Sequence, residues 1–345
     1  MTAPPTDGAI DADVHVAPAS IEALAPYMDD YWRDYLANAG LMLSPTVGGS
    51  YPAGDPPPPH DLDELREQVL DPHGLRHVVL TCLSAFDASR NPYYEAALCR
   101  AINDWLAAEW LARDDRLRAS MVVPTLDVEA AVQEIERVGS QPGFVQALLP
   151  IRTDARWGLR RFHELHEAIA ARDLVLGLHA WGRIGLAPTS SGFTHSYFED
   201  YLANSQIIAQ AQVMSLVSEG VFDRVPSLRV ALLECGFSWL PPMLWRFDKD
   251  WKAVWREVPW VKDRPSEYVR RHFRATTAPA QLPADAGQAA QLAQMLGARE
   301  LLVFASDHPH QHGDGHLDAL LDALGDDGRE AVMRGNAAQL YRLAA

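Results

Sequence analysis

Lysine is almost missing from this chain. Three occur in 345 residues, Lys249, Lys252 and Lys262, against 46 aspartates and glutamates. The net charge is −16 and the arginines stand mostly singly, so no basic face exists to meet a nucleic-acid backbone or an anionic membrane. Cysteine is equally scarce. Cys82, Cys99 and Cys235 are an odd, widely spaced set, which excludes a disulfide framework and fits a reducing cytoplasm. No apolar run approaches the roughly 20 residues of a membrane-spanning helix. Residues 1–5 carry neither the basic region nor the apolar region of a secretory signal. Internal repeats and low-complexity linkers are also absent. These absences predict a cytoplasmic protein whose partners are neither nucleic acid nor membrane.

What is present is alternation. Short runs rich in valine and leucine predict strands at 10–13, 78–81, 121–123, 145–149, 174–179, 230–234, 275–277 and 301–306. Most are apolar on both faces, as parallel strands covered by helices are. Amphipathic stretches such as 93–112, 128–138, 159–171 and 288–296 separate them. Eight strands each followed by helix is the pattern of an α/β chain closed into a (β/α)8 barrel, here a single domain over 1–345. Two insertions interrupt it: a Pro/Gly-rich loop at 42–60, and a Gly/Ser/Pro loop at 181–199 that carries Trp181, Arg183, Phe193, His195 and Tyr197. Both follow strands on the side where barrel active sites form, which makes them candidate pocket or lid segments.

Several of these apolar runs finish on ionisable side chains. Asp13 and His15 are two apart on the first strand and so face the same side. His179 closes the fifth run, Glu234 the sixth, and Asp307 follows the eighth. A carboxylate or imidazole at such a tip packs poorly but faces a barrel mouth. Taken one at a time each has a structural explanation, a hydrogen-bonded loop histidine or an aspartate capping the next helix. Capping does not explain why histidines and carboxylates recur together at these tips, and a shared metal ion does.

The chain resembles the amidohydrolase-related family, whose members include aminocarboxymuconate-semialdehyde and γ-resorcylate decarboxylases. The likeness lies in Asp11-Ala12-Asp13-Val14-His15 and in the stretch 220–230, Gly-Val-Phe-Asp-Arg-Val-Pro-Ser-Leu-Arg-Val. It continues through Glu234-Cys235-Gly236-Phe237-Ser238-Trp239-Leu240-Pro241, Arg246-Phe247-Asp248, Ser306-Asp307-His308-Pro309-His310 and Gly335-Asn336-Ala337-Ala338-Gln339-Leu340-Tyr341. The resemblance implies one divalent ion, Zn²⁺ or Mn²⁺, held by Asp13, His15, His179 and Asp307, with Asp307 also handling protons. It further implies a homodimer or larger homo-oligomer. Where many members carry a histidine on the sixth strand, this chain has Glu234. That leaves open whether Glu234 donates a proton, steadies a ligand or only bonds backbone.

The implied activity is metal-dependent, non-oxidative decarboxylation of a small aromatic or unsaturated acid, with Asp307 and Glu234 as the groups that act on it. Hydrolysis of an amide, lactone or C–C bond at the same site is the alternative, and a binding barrel without chemistry a remote third. Arg152, Arg183 and His195 are candidate partners for a substrate carboxylate, and Trp181 and Arg183 for the pocket wall. His308 and His310 are expected beneath and at the rim of the site, Trp239 as an aromatic plug, and His312 and His316 in solvent.

Overall fold

The computed structural model describes residues 8–39, 56–84, 91–182, 192, 196–312 and 317–343. Eight parallel strands follow one another in sheet order: β1 (Ile10–His15), β2 (His77–Thr81), β3 (Leu117–Val122), β4 (Phe144–Arg152), β5 (Val175–Gly182), β6 (Arg229–Leu233), β7 (Phe273–Thr276) and β8 (Leu302–Val303). Each neighbouring pair is parallel, which demands a crossover between strands. Helices supply it, among them Pro92–Trp105, Val128–Val138, His163–Ala171, Leu240–Val254 and Ala286–Leu296. Three of these helices begin on an acid or amide of their own, Asn91, Asp127 and Asp285. Asp127 accepts from the backbone N–H of Glu129 and Ala130, and Asp285 from that of Gln288. The acids at the strand tips are left for other work.

β8 is shorter than the apolar run 301–306 predicts, because the chain changes partner. Thr277 N–H donates to Val303 O at 3.0 Å, but beyond it Ala12 N–H reaches Phe304 O at 2.9 Å and Asp307 N–H reaches Asp13 O at 3.1 Å. His15 N–H then donates to His308 O at 2.8 Å. The segment that follows β8 therefore seals against β1 and closes the barrel. β3 begins four residues earlier than its predicted start at 121, at Leu117. Inside the barrel, Gln146 of β4 donates to Ser120 Oγ at 2.8 Å and accepts from Tyr341 at 3.1 Å. Gly177 of β5 makes room for it, since a Cβ there would stand 2.5 Å from Gln146 Cδ. Among the described residues no helix is long and apolar enough to cross a membrane.

His166, on the helix His163–Ala171, is fully buried, and burial pushes its imidazole down from 6.5 to about 3. The folded protein thus keeps it neutral where the unfolded chain would protonate it. Its contribution is intact above pH 6.5 and is lost as pH falls from there towards 3. One such group costs about 1.4 kcal/mol per pH unit in that window, or about 2 kcal/mol at pH 5. His166→Met is expected to be less acid-sensitive than the parent by that amount, measured by urea unfolding at pH 7.5 and pH 5. Equal loss in both proteins would show that His166 does not carry this acid sensitivity.

Candidate metal centre

The strand tips converge as the barrel closes. Asp13 and His15 come from β1, His179 from β5, Glu234 from the residue after β6, and Asp307 from the turn after β8. Ligand-capable atoms of Asp13, His15, His179 and Glu234 all lie within 4.8 Å of one another, and so do those of His15, Glu234, Asp307 and His310. His15 Nε2 is 2.8 Å from Asp307 Oδ1 and 3.0 Å from Glu234 Oε1. His179 Nε2 is 3.3 Å from Glu234 Oε1 and 3.4 Å from Asp13 Oδ2.

The backbone is bent to present these groups. Glu234 and Asp307 both adopt left-handed φ angles, +54° and +58°. That conformation is uncommon for aspartate and costlier for glutamate, and such strain gathers at functional sites. Glu234 is held there by its N–H, which donates to Thr276 Oγ1 at 3.1 Å. Asp13 is oriented by Thr81 of β2, whose hydroxyl donates to Oδ1 at 2.6 Å.

Three carboxylates in so small a volume require positive charge. Burial pulls the imidazole of His179 down, but Glu234 and Asp13 outweigh it and raise the pKa to about 10. Burial likewise opposes the rise at His15, where hydrogen bonds with Asp307 and Glu234 prevail. His310 is raised to about 11 against the same penalty by Asp307 and Glu234. Burial and the Glu234 charge push Asp307 up, yet His15, His310 and His312 hold it below the ordinary carboxylate range. Glu234 also falls well below its ordinary value, burial being overcome by His179 and His15.

Of the site's unserved buried atoms, two face each other at 3.4 Å. Asp13 Oδ2 and His179 Nε2 are without hydrogen-bond partners, although both residues are wholly buried. An unsatisfied buried polar atom costs about 1–3 kcal/mol. A divalent cation between the two would satisfy both and replace the protons on the imidazoles, so the donor set fits a metal ion.

Other candidates fall elsewhere. Arg152, the last residue of β4, is buried and paired through Nη2 with Asp200 Oδ1 at 2.8 Å, so its charge meets the chain's own acid. Arg183, His195 and His316 lie outside the described residues, as do 42–55 of the first insertion, and Trp181 is placed only by its backbone at the end of β5. His308 turns away to Gln68 Oε1 at 3.1 Å. Trp239 is buried and donates from Nε1 to Cys235 O at 2.9 Å.

His312 corrects an expectation. It is not solvated: its Nε2 bonds Asp307 Oδ2, and its side chain is 15% exposed. His310 Nδ1 bonds the other oxygen of Asp307 at 3.1 Å. The signal was the spacing Asp307-x-x-His310-x-His312, which lets a tight turn fold both imidazoles back onto one carboxylate.

The profile of the amidohydrolase family matches residues 10–343, nearly all of the chain. Among proteins of known activity, the γ-resorcylate decarboxylase of Rhodococcus jostii is 27% identical over 310 residues, 82% of this chain and 88% of that one. Two solved structures share the fold. The dihydroxybenzoic acid decarboxylase of Polaromonas, with bound manganese and the inhibitor 2-nitroresorcinol, is 22% identical with a TM-score of 0.66 over 98% of this chain and 97% of that one. The 5-carboxyvanillate decarboxylase of Sphingomonas paucimobilis is 23% identical with a TM-score of 0.68 over 98% and 99%. A profile matched from the first strand to the last helix, over a barrel whose strand tips gather histidines and carboxylates, places this chain in the amidohydrolase family.

Proposed function

We propose that this protein removes carbon dioxide, without oxidation, from a small hydroxylated aromatic acid, using one divalent ion held by Asp13, His15, His179 and Asp307. The observation that carries this reading is the pair of imidazoles on Asp307, His310 on one oxygen and His312 on the other. Decarboxylation of an aromatic carboxylate consumes one proton at the carbon that bears the carboxylate, whereas activation of water for hydrolysis begins by removing one. Asp307 is wholly buried and backed by two groups able to supply protons.

In this reading a divalent ion held by these residues would supply Lewis-acid stabilisation of the substrate's negative charge. Asp307, ionised at rest, relays a proton from the His310 imidazolium to the ring carbon. The C–C bond breaks, its electron pair restores the aromatic ring, and carbon dioxide leaves. Histidine 310, with a side chain 37% exposed, connects Asp307 to solvent and allows the proton to be replaced. The relatives named above act on dihydroxybenzoic acids and carboxyvanillate, which supports the substrate class. We take the ion to be Mn²⁺ or Zn²⁺, with manganese favoured by the carboxylate-rich donors and by its presence in a relative. Phe198, Leu202, Ile207 and Met214, exposed along 197–218, support a homo-oligomer. Three buried free cysteines support a cytoplasmic setting.

The test is turnover of 2,6-dihydroxybenzoate and 5-carboxyvanillate by the Mn²⁺-loaded protein in D₂O and in H₂¹⁸O. The expected result is carbon dioxide plus a phenol carrying one solvent deuterium at the vacated ring carbon. An ¹⁸O-labelled acid or alcohol product from an ester or amide panel, with both aromatic acids untouched, would overturn decarboxylation in favour of hydrolysis.

A further inference from the structure

The sixth-strand position departs from the pattern seen in many members of this family, and its geometry gives it a specific task. We infer that Glu234 is itself a ligand of the metal ion, so that the centre holds five protein donors: three carboxylates and two imidazoles. This rests on the metal-dependent reading above and goes beyond it.

The argument is in the spacing. Donors sharing one cation at bond lengths of about 2.0–2.2 Å stand about 2.8–3.6 Å apart, from the right angle of an octahedron to the wider angle of a tetrahedron. Glu234 Oε1 is 3.0 Å from His15 Nε2 and 3.3 Å from His179 Nε2. The Asp307 and Asp13 contacts with the same two nitrogens, 2.8 and 3.4 Å, fall in that interval as well. All four separations match edges of a coordination polyhedron, and His15 and Glu234 are the donors shared by the group that holds Asp13 and His179 and the group that holds Asp307.

Hydrogen bonding accounts for only part of this convergence: a single Nε2–H of His15 cannot serve both Glu234 and Asp307 fully. His179 Nε2 faces two carboxylate oxygens and makes a hydrogen bond to neither. A carboxylate that only steadies a metal-bound histidine takes the N–H of its other ring nitrogen. Glu234 instead meets Nε2 of both histidines, the same atoms that face Asp13 and Asp307. The carboxylate stands among the donors rather than behind them.

Two consequences follow. Five protein donors exceed the four of a tetrahedral zinc site and suit an ion that accepts six, such as Mn²⁺. Glu234 is also the donor of its group with the most solvent access, its side chain 16% exposed against 5% or less for Asp13, His15 and His179.

The deciding experiment is a crystal structure of the full chain grown with MnCl₂ and no substrate. We expect one Mn²⁺ with a Glu234 oxygen within about 2.3 Å, alongside Asp13, His15, His179 and Asp307. In solution, Mn²⁺ electron–nuclear double resonance on protein labelled with ¹³C at the glutamate side-chain carboxyl should show a carboxylate coupling that Glu234→Gln removes. An ion bound by the other four, with Glu234 more than about 3.5 Å away behind a water, would overturn this inference and leave the metal-dependent reading standing. Failure to bind Mn²⁺ at these residues at all would overturn both.

Discussion

Asp307→Asn is expected to lower kcat for the aromatic acid by about 10³-fold while leaving the barrel folded, within the 10²–10⁴ range of general acid–base catalysis. Asparagine matches aspartate in size and is among the few residues that tolerate the left-handed φ of +58° found here. The backbone N–H that closes the barrel onto Asp13 O is unchanged by the substitution. What disappears is the acid: an amide cannot pass a proton, and it removes the anion that His15, His310 and His312 share. The loss should fall on kcat more than on KM, with unfolding midpoint and circular dichroism close to the parent. A variant that keeps kcat within tenfold of the parent would remove Asp307 from the proton path.

A second large effect is expected at His179. Manganese at about 100 times its Kd should stabilise the parent by about 2.7 kcal/mol, raising the unfolding midpoint by about 4 °C. His179→Ala should abolish that rise and lower turnover by about 10³-fold. The residue is wholly buried, and its Nε2 is the unserved nitrogen between Glu234 and Asp13. The stability readout does not depend on knowing the substrate. An undiminished manganese shift in the variant would place the ion elsewhere.

Much of this arrangement was legible before any coordinates. Asp13, His15, His179, Glu234 and Asp307 each end or follow an apolar run, and only a closed barrel brings such tips together. The starts of strands were harder. β3 opens Leu117-Arg118-Ala119-Ser120, and its polar residues hide a strand from an apolar criterion. In the structure the Arg118 guanidinium folds back onto Leu117 O at 2.6 Å, and Ser120 accepts the Gln146 amide. Arg274 does the same at the start of β7, donating to Phe273 O at 2.7 Å. The role of His312 was hidden because solvent is the usual fate of a histidine in a Gly/Asp-rich stretch. The spacing from Asp307 permits a turn that reverses onto the carboxylate but does not require one. Arg152 looked available in sequence because its partner, Asp200, lies 48 residues away.

The seam between β1 and the segment after β8 also fixes when the centre can exist. His15 and Asp307, 2.8 Å apart in space, are 292 positions apart in the chain. During synthesis, which releases the N-terminal part first, Asp13 and His15 are made early and then wait for nearly the whole barrel. Until β8 arrives, the early donors face an open sheet edge rather than a pocket, and each can be hydrated like any surface acid or imidazole. The full donor set is complete only after the last strand has docked, so an ion held by that set would be captured last. An ion seated there would join the first strand to the segment after the last across this seam, acting as a clasp on the finished ring.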